Sequence, residues 1–539
     1  MAAPVSSSRQ SAAAAGWGCI KTGSFQRLLP RGDVPFSWVN PVPLWRSRND
    51  KLARLLGDPV NDLRREWIEQ LGGSQQNFTV ESYADRDKVS AIILGDTGEG
   101  DGSQYAVVPG LLRESAGSDF MFIISDIIYP AGGIDEYENK FYRPYKDYPQ
   151  PIYAIPGNHD WYDDLTGFMF HFCGLRRAAR GLPGSPGWKS ALRRLLWRRA
   201  PKGHEKAIAR MRQMRAQPSQ QARQPGPYFA LAAGPIVLVG IDTGITGGID
   251  RDQGEWLRRI SNSPRPKILL TGKPLRVNGQ LHPGEIEGGG TVDEIVQAPE
   301  NNYIAAIGGD VHNYQRYPAR LEDGRTIQYI VSGGGGAFMN ETHKIPNIDR
   351  SGLNGVSEAE FRCYPLRGDS LSIFSRNYGR LFALGTIGKW LGLQRLLLPL
   401  LFIPPDEAAA LMAERLGLTP VRSTAASAPI SSRARRVAAW LLPLPGQVHG
   451  LLQPFYTELL DWNDAPMFKN FLRLDANADE IVITCYIASG CLEQEQAPPI
   501  EDAIRANRGG AGSWTWEVLP TSFSAATGLG VVQPRGERR

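Results

Sequence analysis

A chain of 539 residues that is 42% hydrophobic and 21% charged is long and apolar enough to bury a sizeable core. This composition excludes a wholly disordered chain, and a net charge of only +5 excludes a chain that is strongly basic throughout. The longest apolar run, 390–405, is broken by Arg395 and Pro399 and is shorter than the ~20 residues that cross a bilayer, so no transmembrane span is predicted.

Residues 1–85 are predicted to form a leader followed by a helical extension. The stretch "RNDKLARLLGDPVNDLRREWIEQLGG" repeats apolar residues at helical spacing and stops at a glycine pair. No long apolar core follows a basic start, so no secretory signal is evident. The five cysteines have no repeated spacing and are expected to be reduced thiols, which together with the missing signal predicts a cytoplasmic protein.

From Lys88 onward, short apolar runs each end in polar or glycine residues. The runs are "VSAIILGDTGEG", "FMFIISDIIYPAGG", "PIYAIPGNHDWYDD", "PIVLVGIDTG", "PKILLTGKPL", "YIAAIGGDVHNYQRY" and "IQYIVSGGGG". Aliphatic runs bounded this way are typical of buried strands. Since open α/β sheets bind ligands at the carboxyl ends of their strands, we expect the polar residues after these strands to converge.

The chain divides into a core with two insertions. The predicted segments after the leader are the core (86–340, containing a basic insertion at about 174–225), a helical and loop insertion (341–455), strands that complete the core (456–495) and a C-terminal tail (496–539). The apolar run in the second insertion favours a buried or docking helix pair over a membrane-surface anchor.

The basic insertion carries fourteen Lys or Arg between Arg176 and Arg223 and the single acid Glu205. It indicates a solvated helical face, an electrostatic collar for an anionic substrate, or a patch for nucleic acid or anionic lipid. Aromatic residues other than Trp188 and Trp197 are missing from the segment, which disfavours base stacking and favours the first two alternatives.

Seven polar side chains follow the predicted strands. They are Asp96 in "LGDTG", Asp126 and Tyr129 in "SDIIYPAG", Asn158 and His159 in "PGNHD", and Asp310 and His312 in "GGDVHNY". Singly, such residues are most often turn formers, helix caps or core residues. Together, carboxylates flanked by further oxygen donors and an imidazole can hold two cations about 3.5–4 Å apart for hydrolysis of a phosphate ester.

In this order, the blocks resemble the motifs GDxG, GDxxY, GNH(D/E), VxxH and GHxH of the calcineurin-like metallophosphoesterases, in particular the purple acid phosphatase branch. The resemblance covers roughly residues 88–340. It implies a two-sheet, four-layer α/β sandwich flanked by helices, here with two insertions. It also implies a phosphomonoesterase or phosphodiesterase that acts on a small-molecule phosphoester with a metal-activated water.

The resemblance assigns a role to each residue. Asp96, Asp126, Tyr129 and His312 would surround a first metal, with Tyr129 favouring oxidised iron. The implied cofactor is a divalent or mixed-valence pair, iron with manganese, zinc or iron, in which Asp126 bridges to a second metal also held by Asn158.

His159 would face the substrate and assist departure of the leaving group. The neighbouring Asp160 is expected either to fix the tautomer of His159 and favour its protonated form, or to cap a helix. The loop "VSGGGGAF" lacks the GK(S/T) ending of a phosphate-binding loop and predicts close backbone packing near the metals instead.

The second metal position departs from the family pattern. Gly272 in "LLTGKPL" replaces one histidine, and Asp310 replaces the first histidine of GHxH. Asp310 could bind a harder ion, with water at the position left by Gly272. Alternatively, the Lys273 ammonium could replace the second cation, bind the phosphate and leave a single metal. A phosphate-binding protein with weakened catalysis, or one tethered to lipid or nucleic acid through the basic insertion, is the competing hypothesis.

Overall fold

The fold is that of a computed structural model. The residues it describes are 19, 21–31, 40–73, 77–175, 187–198, 203–215, 224–384, 400–420, 429–442, 465–510, 513–521 and 532–533. The predicted leader up to residue 18, parts of the basic insertion, most of the apolar run and the final residues lie outside this set.

Two mixed β-sheets form the centre of the protein. Their strands and two short strand pairs are β1 (Thr79–Tyr83), β2 (Lys88–Leu94), β3 (Phe120–Ile123), β4 (Ile152–Ala154), β5 (Phe229–Ala233), β6 (Ile236–Ile241), β7 (Lys267–Thr271), β8 (Arg276–Val277), β9 (Gln280–Leu281), β10 (Tyr303–Gly308), β11 (Tyr314–Arg320), β12 (Thr326–Ser332), β13 (Arg362–Tyr364), β14 (Thr419–Pro420), β15 (Lys469–Asn477), β16 (Glu480–Ala488), β17 (Ile500–Arg508), β18 (Trp514–Val518) and β19 (Val532–Gln533). Within the described residues, one sheet has eight strands in the order β1-β5-β6-β7-β10-β12-β11-β13 and the other has seven in the order β18-β17-β16-β15-β2-β3-β4. All seven predicted runs are strands of these sheets.

The strands that precede the predicted site run parallel within each sheet. Strands β2, β3 and β4 are parallel neighbours, and so are β6, β7, β10 and β12. Their carboxyl ends therefore meet at one edge of each sheet, where ligands bind in α/β proteins.

Both faces of the seven-stranded sheet are covered by apolar groups. Ile93 and Phe122 face the eight-stranded sheet, where Phe122 stacks on Phe229 with ring centroids 5.5 Å apart. Ile92 and Leu94 face the opposite side and join a second apolar cluster under the helices. Because successive side chains of a strand alternate between faces, a strand covered on both faces is apolar at nearly every position.

Helices form the outer layers. They are α1 (Pro41–Arg46), α2 (Asn49–Leu56), α3 (Val60–Gln70), α4 (Gly102–Tyr105), α5 (Val108–Glu114), α6 (Thr166–Cys173), α7 (Trp188–Leu196), α8 (Glu205–Gln213), α9 (Arg251–Ser261), α10 (Val292–Gln297), α11 (Arg367–Leu384), α12 (Pro405–Leu416), α13 (Ser432–Leu441) and α14 (Leu492–Glu495). Side chains of α2, α3, α6 and α8 pack on the outer face of the seven-stranded sheet, and those of α11, α12 and α13 join the cluster of the eight-stranded sheet. The architecture confirms the predicted two-sheet α/β sandwich flanked by helices.

Among the described residues, no helix is both long and apolar enough to span a membrane.

Several strands lie where the sequence indicated none, and three of them change the limits of the predicted core. Strand β1 precedes the predicted start of the core at residue 86, yet it pairs with β5 in the eight-stranded sheet. Strands β17 and β18 fall within 496–539 and extend the seven-stranded sheet beyond the predicted β15–β16 hairpin, so the prediction of a tail is wrong for these residues. Charged residues interrupt the apolar positions of β17, "IEDAIRANR". The strand therefore contains no aliphatic run that would predict it.

The expectation of reduced thiols is wrong for one pair of cysteines. Cys19 and Cys491 form a disulfide with a Cα–Cα distance of 5.4 Å, whereas Cys173, Cys363 and Cys485 are free. The bonded residues are 472 positions apart, so local spacing could not reveal them. Reduced cysteines therefore no longer support a cytoplasmic location. That location stays a prediction, based on the missing secretory signal.

A buried cation fastens helix α3 to the sandwich. Arg64 donates from Nε to Asp242 Oδ2 and from Nη1 to Asp250 Oδ2, each at 2.8 Å, and from Nη2 to the Asp242 carbonyl at 3.0 Å. Trp161 Nε1 donates to the other Asp242 oxygen at 2.9 Å. Burial opposes the charge of Arg64, but the two carboxylates outweigh burial and raise its pKa.

We expect Arg64→Ala to lower the free energy of unfolding by about 3–5 kcal/mol, because it leaves two carboxylates without their buried partner. The matched control is Arg65→Ala, whose side chain is partly exposed and pairs with Asp62 at 2.9 Å and with the partly exposed Glu287. That change should cost less than about 1 kcal/mol. Urea denaturation of both variants measures the difference, and equal losses would contradict a special role for Arg64.

Candidate metal centre

The carboxylates of the candidate site lie on sharply turned backbone directly after strands. Asp96 (φ 59°), Asp126 (φ 36°) and Asp310 (φ 64°) all adopt the left-handed region, which costs a non-glycine residue of the order of 1–3 kcal/mol. The turns are held by neighbouring groups: Asp96 N donates to the Ser125 carbonyl at 3.0 Å, and Asp310 N donates to Asp96 Oδ2 at 2.9 Å. Strain of this kind persists where the surroundings fix it, and it is concentrated at functional sites.

Three predicted residues meet around the hydroxyl of Tyr129, which is itself a predicted ligand. This hydroxyl lies 3.3 Å from Asp96 Oδ1, 3.0 Å from Asp126 Oδ2 and 3.0 Å from His312 Nε2. All four side chains are buried. The loops after β2, β3 and β10 therefore converge as the strand pattern predicts.

His312 is oriented for use as a ligand. Its Nδ1 donates to the Phe338 carbonyl at 2.8 Å, which places the proton on Nδ1 and directs Nε2 toward Tyr129. Burial lowers the pKa of His312 to about 3, so the ring is neutral. A neutral imidazole whose other nitrogen donates to a carbonyl is the usual form of a metal-binding histidine.

The electrostatics of this cluster favour a cation. Burial raises the pKa of both Asp96 and Asp126, and for Asp96 the carboxylates of Asp126 and Asp310 raise it further. Burial and the adjacent Asp126 likewise raise the pKa of Tyr129. A bound cation would relieve the repulsion among these groups. The donor set of oxygens and one imidazole nitrogen fits iron, manganese or zinc.

Asn158 offers an acceptor next to this cluster. Its Nδ2 donates to the Tyr162 hydroxyl at 2.7 Å, while its buried Oδ1 has no hydrogen-bond partner in the part of the chain that the structure describes. A buried amide oxygen without a donor is costly unless a cation or water satisfies it. Asn158 thus fits the role of a ligand to a second positive charge.

Lys273 brings a positive charge to Asp310, a residue predicted for the second metal position. Its ammonium forms an ion pair with Asp310, and both side chains are partly exposed. Burial would raise the pKa of Asp310, but Lys273 outweighs it and holds this pKa below the usual value. The same ammonium also acts to lower the pKa of Asp126.

The backbone at Gly272 leaves little space for a side chain. A Cβ there would lie 2.9 Å from Thr243 Oγ1 and 3.0 Å from the Pro156 carbonyl oxygen. A histidine at this position would require these neighbours to move. Thr243 and Pro156 therefore leave room for glycine at the position where the family motif has a histidine.

The prediction that the Asp160 carboxylate fixes the tautomer of His159 is wrong. Asp160 accepts hydrogen bonds from the backbone N–H groups of Gly157, Ile127 and Ile128, at 3.0–3.2 Å, and so fixes the loop. His159 instead donates from Nδ1 to the Pro130 carbonyl at 2.9 Å, and this carbonyl sets its tautomer. The His159 ring lies 4.4 Å from the ring of Tyr129, at the edge of the cluster.

Close backbone packing by the glycine-rich loop is confirmed. A Cβ at Gly333 would lie 2.3 Å from the Val311 carbonyl oxygen and 2.6 Å from Asp96 Oδ2. Only glycine allows the loop to pass this close to the ligand residues.

A cavity of about 690 Å³ opens beside Lys273 and Asp310. Its lining includes Arg54 of α2, His282 and Lys344, none of which the sequence identified. Arg54 comes from the N-terminal helices and the other two from loops without a motif, so no local pattern connects them to the site. The cavity gives the candidate metal centre a space for the body of a substrate.

Residues 89–314 match the sequence profile of the calcineurin-like phosphoesterase family. The match covers less than half of the chain, and this part is similar to a calcineurin-like phosphoesterase domain. The family implies a centre of two metals. A comparison with curated proteins found no match.

Three solved structures show remote similarity. A purple acid phosphatase from yellow lupin (Lupinus luteus) seeds is 11% identical, with 78% of this chain and 54% of that chain covered and a TM-score of 0.36. PhoD is 9% identical (81% and 73% covered, TM-score 0.38), and GAP50, the anchor in the inner membrane complex of Plasmodium, is 10% identical (47% and 74%, TM-score 0.30). The chain thus spans about half the length of the lupin phosphatase. Because these TM-scores are low, the similarity to the calcineurin-like phosphoesterase domain rests on the sequence match of residues 89–314.

We expect the protein loaded with ferric iron to absorb visible light, and Tyr129→Phe to abolish that absorption because the phenolate donor is lost. The matched control is Tyr137→Phe, since the Tyr137 hydroxyl is also buried and has no hydrogen-bond partner among the described residues. Absorption spectra and iron content of the three proteins provide the measurement. An absorption band that survives Tyr129→Phe unchanged would remove Tyr129 from the site.

Proposed function

We propose that the protein hydrolyses phosphoric monoesters or diesters with one tightly held cation and the ammonium of Lys273 in the second cationic position. The cation would be held by Asp96, Asp126, Tyr129 and His312. The observation that carries this proposal is the ion pair of Lys273 with Asp310 beside that cluster.

The bound cation would supply Lewis acidity toward a phosphoryl oxygen and would lower the pKa of a water molecule. The protein's own groups would hold the substrate. Lys273 would bind a second phosphoryl oxygen, where a fixed positive charge stabilises the growing negative charge of the transition state. Asn158 Oδ1 would accept a hydrogen bond from a water or a substrate hydroxyl beside the phosphoryl group.

His159 would act on the leaving group. Its position at the edge of the cluster, with Nδ1 held by the Pro130 carbonyl, orients the ring for this role. Transfer of a proton to the departing alkoxide contributes about 10²- to 10⁴-fold to the rate of such reactions. The adjoining cavity, with Arg54, His282 and Lys344 in its lining, would take the body of a small phosphoester.

A phosphate-binding protein without turnover is the second candidate. The observation in its favour is the same replacement of a second metal position by Lys273 and Asp310. Saturable binding of inorganic phosphate together with no hydrolysis of any aryl phosphate would select this alternative.

We expect hydrolysis of an activated aryl phosphate monoester or diester to stop when all metal is chelated and to return with about one equivalent of added iron or manganese per chain. Release of the aryl alcohol, followed against metal content, measures this. Undiminished turnover in metal-free protein would exclude a metal-dependent reaction.

Replacement of Lys273 by Met keeps the side-chain length and removes the charge. We expect kcat to fall by about 10²- to 10³-fold at one equivalent of metal, as when a group that stabilises transition-state charge is lost. Because Asp310 then lacks its partner, a second ion should bind, and excess divalent metal should restore part of the activity. Turnover assays and calorimetric metal titration measure both effects.

The matched control for this change is Lys146→Met, an exposed lysine 3.9 Å from Asp147 that should leave activity and metal stoichiometry unchanged. Two equally tight ions in the unaltered protein, combined with full activity of Lys273→Met, would show that Lys273 does not replace a metal.

A further inference from the structure

Large apolar side chains project into solvent from three helices on one part of the surface. Trp45 on α1 is 68% exposed, Leu55 on α2 is 72% exposed, and Trp188 and Leu195 on α7 are 71% and 78% exposed. Exposed apolar groups clustered in this way mark interaction sites on proteins.

Helix α7 directs its apolar residues outward. Trp188 and Leu195 are two turns apart and share the exposed side, whereas Ser190 and Arg193 are buried on the other side. On this inner side, Arg193 donates to the Gly57 carbonyl at 2.9 Å. The polar face of the helix thus anchors it to the protein and the apolar face is left outside.

The three helices form one continuous surface. Helix α2 packs directly against α7. Arg48, between α1 and α2, donates to the Leu196 carbonyl at the end of α7 at 3.0 Å, and Asn49 Oδ1 accepts from Arg198 N at 2.9 Å. We call the combined surface of α1, α2 and α7 the helical face.

The helical face is strongly cationic. Segments 40–56 and 187–198 contain eight Lys or Arg residues and one acid, Asp50. Two of these cations are engaged in ion pairs, Arg46 with Glu136 and Arg54 with Asp50, but Lys51, Lys189 and Arg194 are exposed. Positive groups therefore surround the apolar side chains.

Cations also lie against the tryptophan rings. The Arg48 guanidinium is 4.4 Å from the ring centre of Trp45, and the Lys189 ammonium is 5.9 Å from that of Trp188. Tryptophan beside Lys or Arg suits the boundary between lipid headgroups and acyl chains, where the ring is half-buried and the cation meets phosphate.

We propose that the helical face docks on the anionic surface of a lipid bilayer. Leu55 and Leu195 would enter the acyl boundary together with the two tryptophans, while the exposed cations would bind headgroup phosphates. Aliphatic side chains gain nothing on the backbone of a nucleic acid, and a second copy of this face would oppose like charges. The charge and the aliphatic groups together thus favour the bilayer over both.

The helical face adjoins the cavity of the metal centre. Arg54 of α2 lines that cavity, and Asp58, just after α2, accepts from the Thr246 hydroxyl at 2.8 Å on a loop that also lines it. Docking would therefore hold the cavity near headgroups. This last consequence rests on the proposed function, but docking itself does not.

Vesicle sedimentation of the full-length protein tests the proposal. We expect binding to phosphatidylcholine vesicles that contain phosphatidylserine and little binding to phosphatidylcholine alone, with affinity falling as salt rises. The double variant Trp188→Ser/Leu195→Ser should bind anionic vesicles at least about tenfold more weakly, because two large apolar groups no longer enter the bilayer. Lys189→Glu/Arg194→Glu should weaken binding to a similar degree.

The matched control is Val518→Ser, which alters an exposed apolar residue (54%) on edge strand β18 and should leave vesicle binding unchanged. Hydrolysis of a soluble aryl phosphate reports separately on the metal centre, so loss of docking and failure of the proposed function remain distinguishable. Circular dichroism establishes that each variant is folded.

Four binding results would each overturn the proposal: no binding to anionic vesicles at low salt, equal binding to neutral vesicles, unchanged binding by both double variants, or tighter binding to a short DNA duplex that the variants abolish. A dimer in solution that Trp188→Ser/Leu195→Ser dissociates would assign the helical face to contact between copies of the chain instead.

Discussion

Repulsion among buried carboxylates is the constraint around which the candidate centre is built. The parallel strands bring Asp96 and Asp126 to the same edge of the sandwich, and tight loops hold both in left-handed backbone. Water is excluded from this place, so the charges are weakly screened and each additional acid raises the cost of ionisation. A site of this kind is stable in its ionised form only when positive charge is supplied, so the fold as a whole, rather than any one residue, favours a cation here.

Lys273 supplies part of that charge permanently. An ammonium fixed on the chain differs from a second metal because it carries one charge and cannot activate water. Its ion pair with Asp310 is partly exposed, so the pair is screened and can separate when a phosphate arrives. If Lys273 takes the second cationic position as proposed, the protein would depend less on metal supply, at the expense of the stronger polarisation that two metals provide.

Much of this could be predicted from the sequence. The seven strands predicted from the sequence are aliphatic runs, and parallel strands must bring their ends together, so the meeting of Asp96, Asp126 and His312 followed from pattern alone. The choice between water and Lys273 at the second position did not, because it depends on the distance between residues 273 and 310, which no local pattern encodes. Asp160 was misassigned for a related reason: adjacency to His159 in sequence suggested a contact, but the loop turns its carboxylate toward three backbone N–H groups.

Contacts between residues far apart in the sequence were the other feature that the sequence could not predict. Arg54 reaches the cavity from an N-terminal helix, and Arg64 of the next helix finds its carboxylates 178 and 186 residues away. The N-terminal helices are thus part of the sandwich rather than a preface to it.

The bond between Cys19 and Cys491 turns most of the chain into a covalent ring. A cut at a single peptide bond between these residues would therefore open the ring without separating the two pieces, which would stay joined through sulfur until the disulfide is reduced. The protein would tolerate one backbone break with its sheets still tethered to each other, and only a second break, or reduction, would allow a fragment to leave.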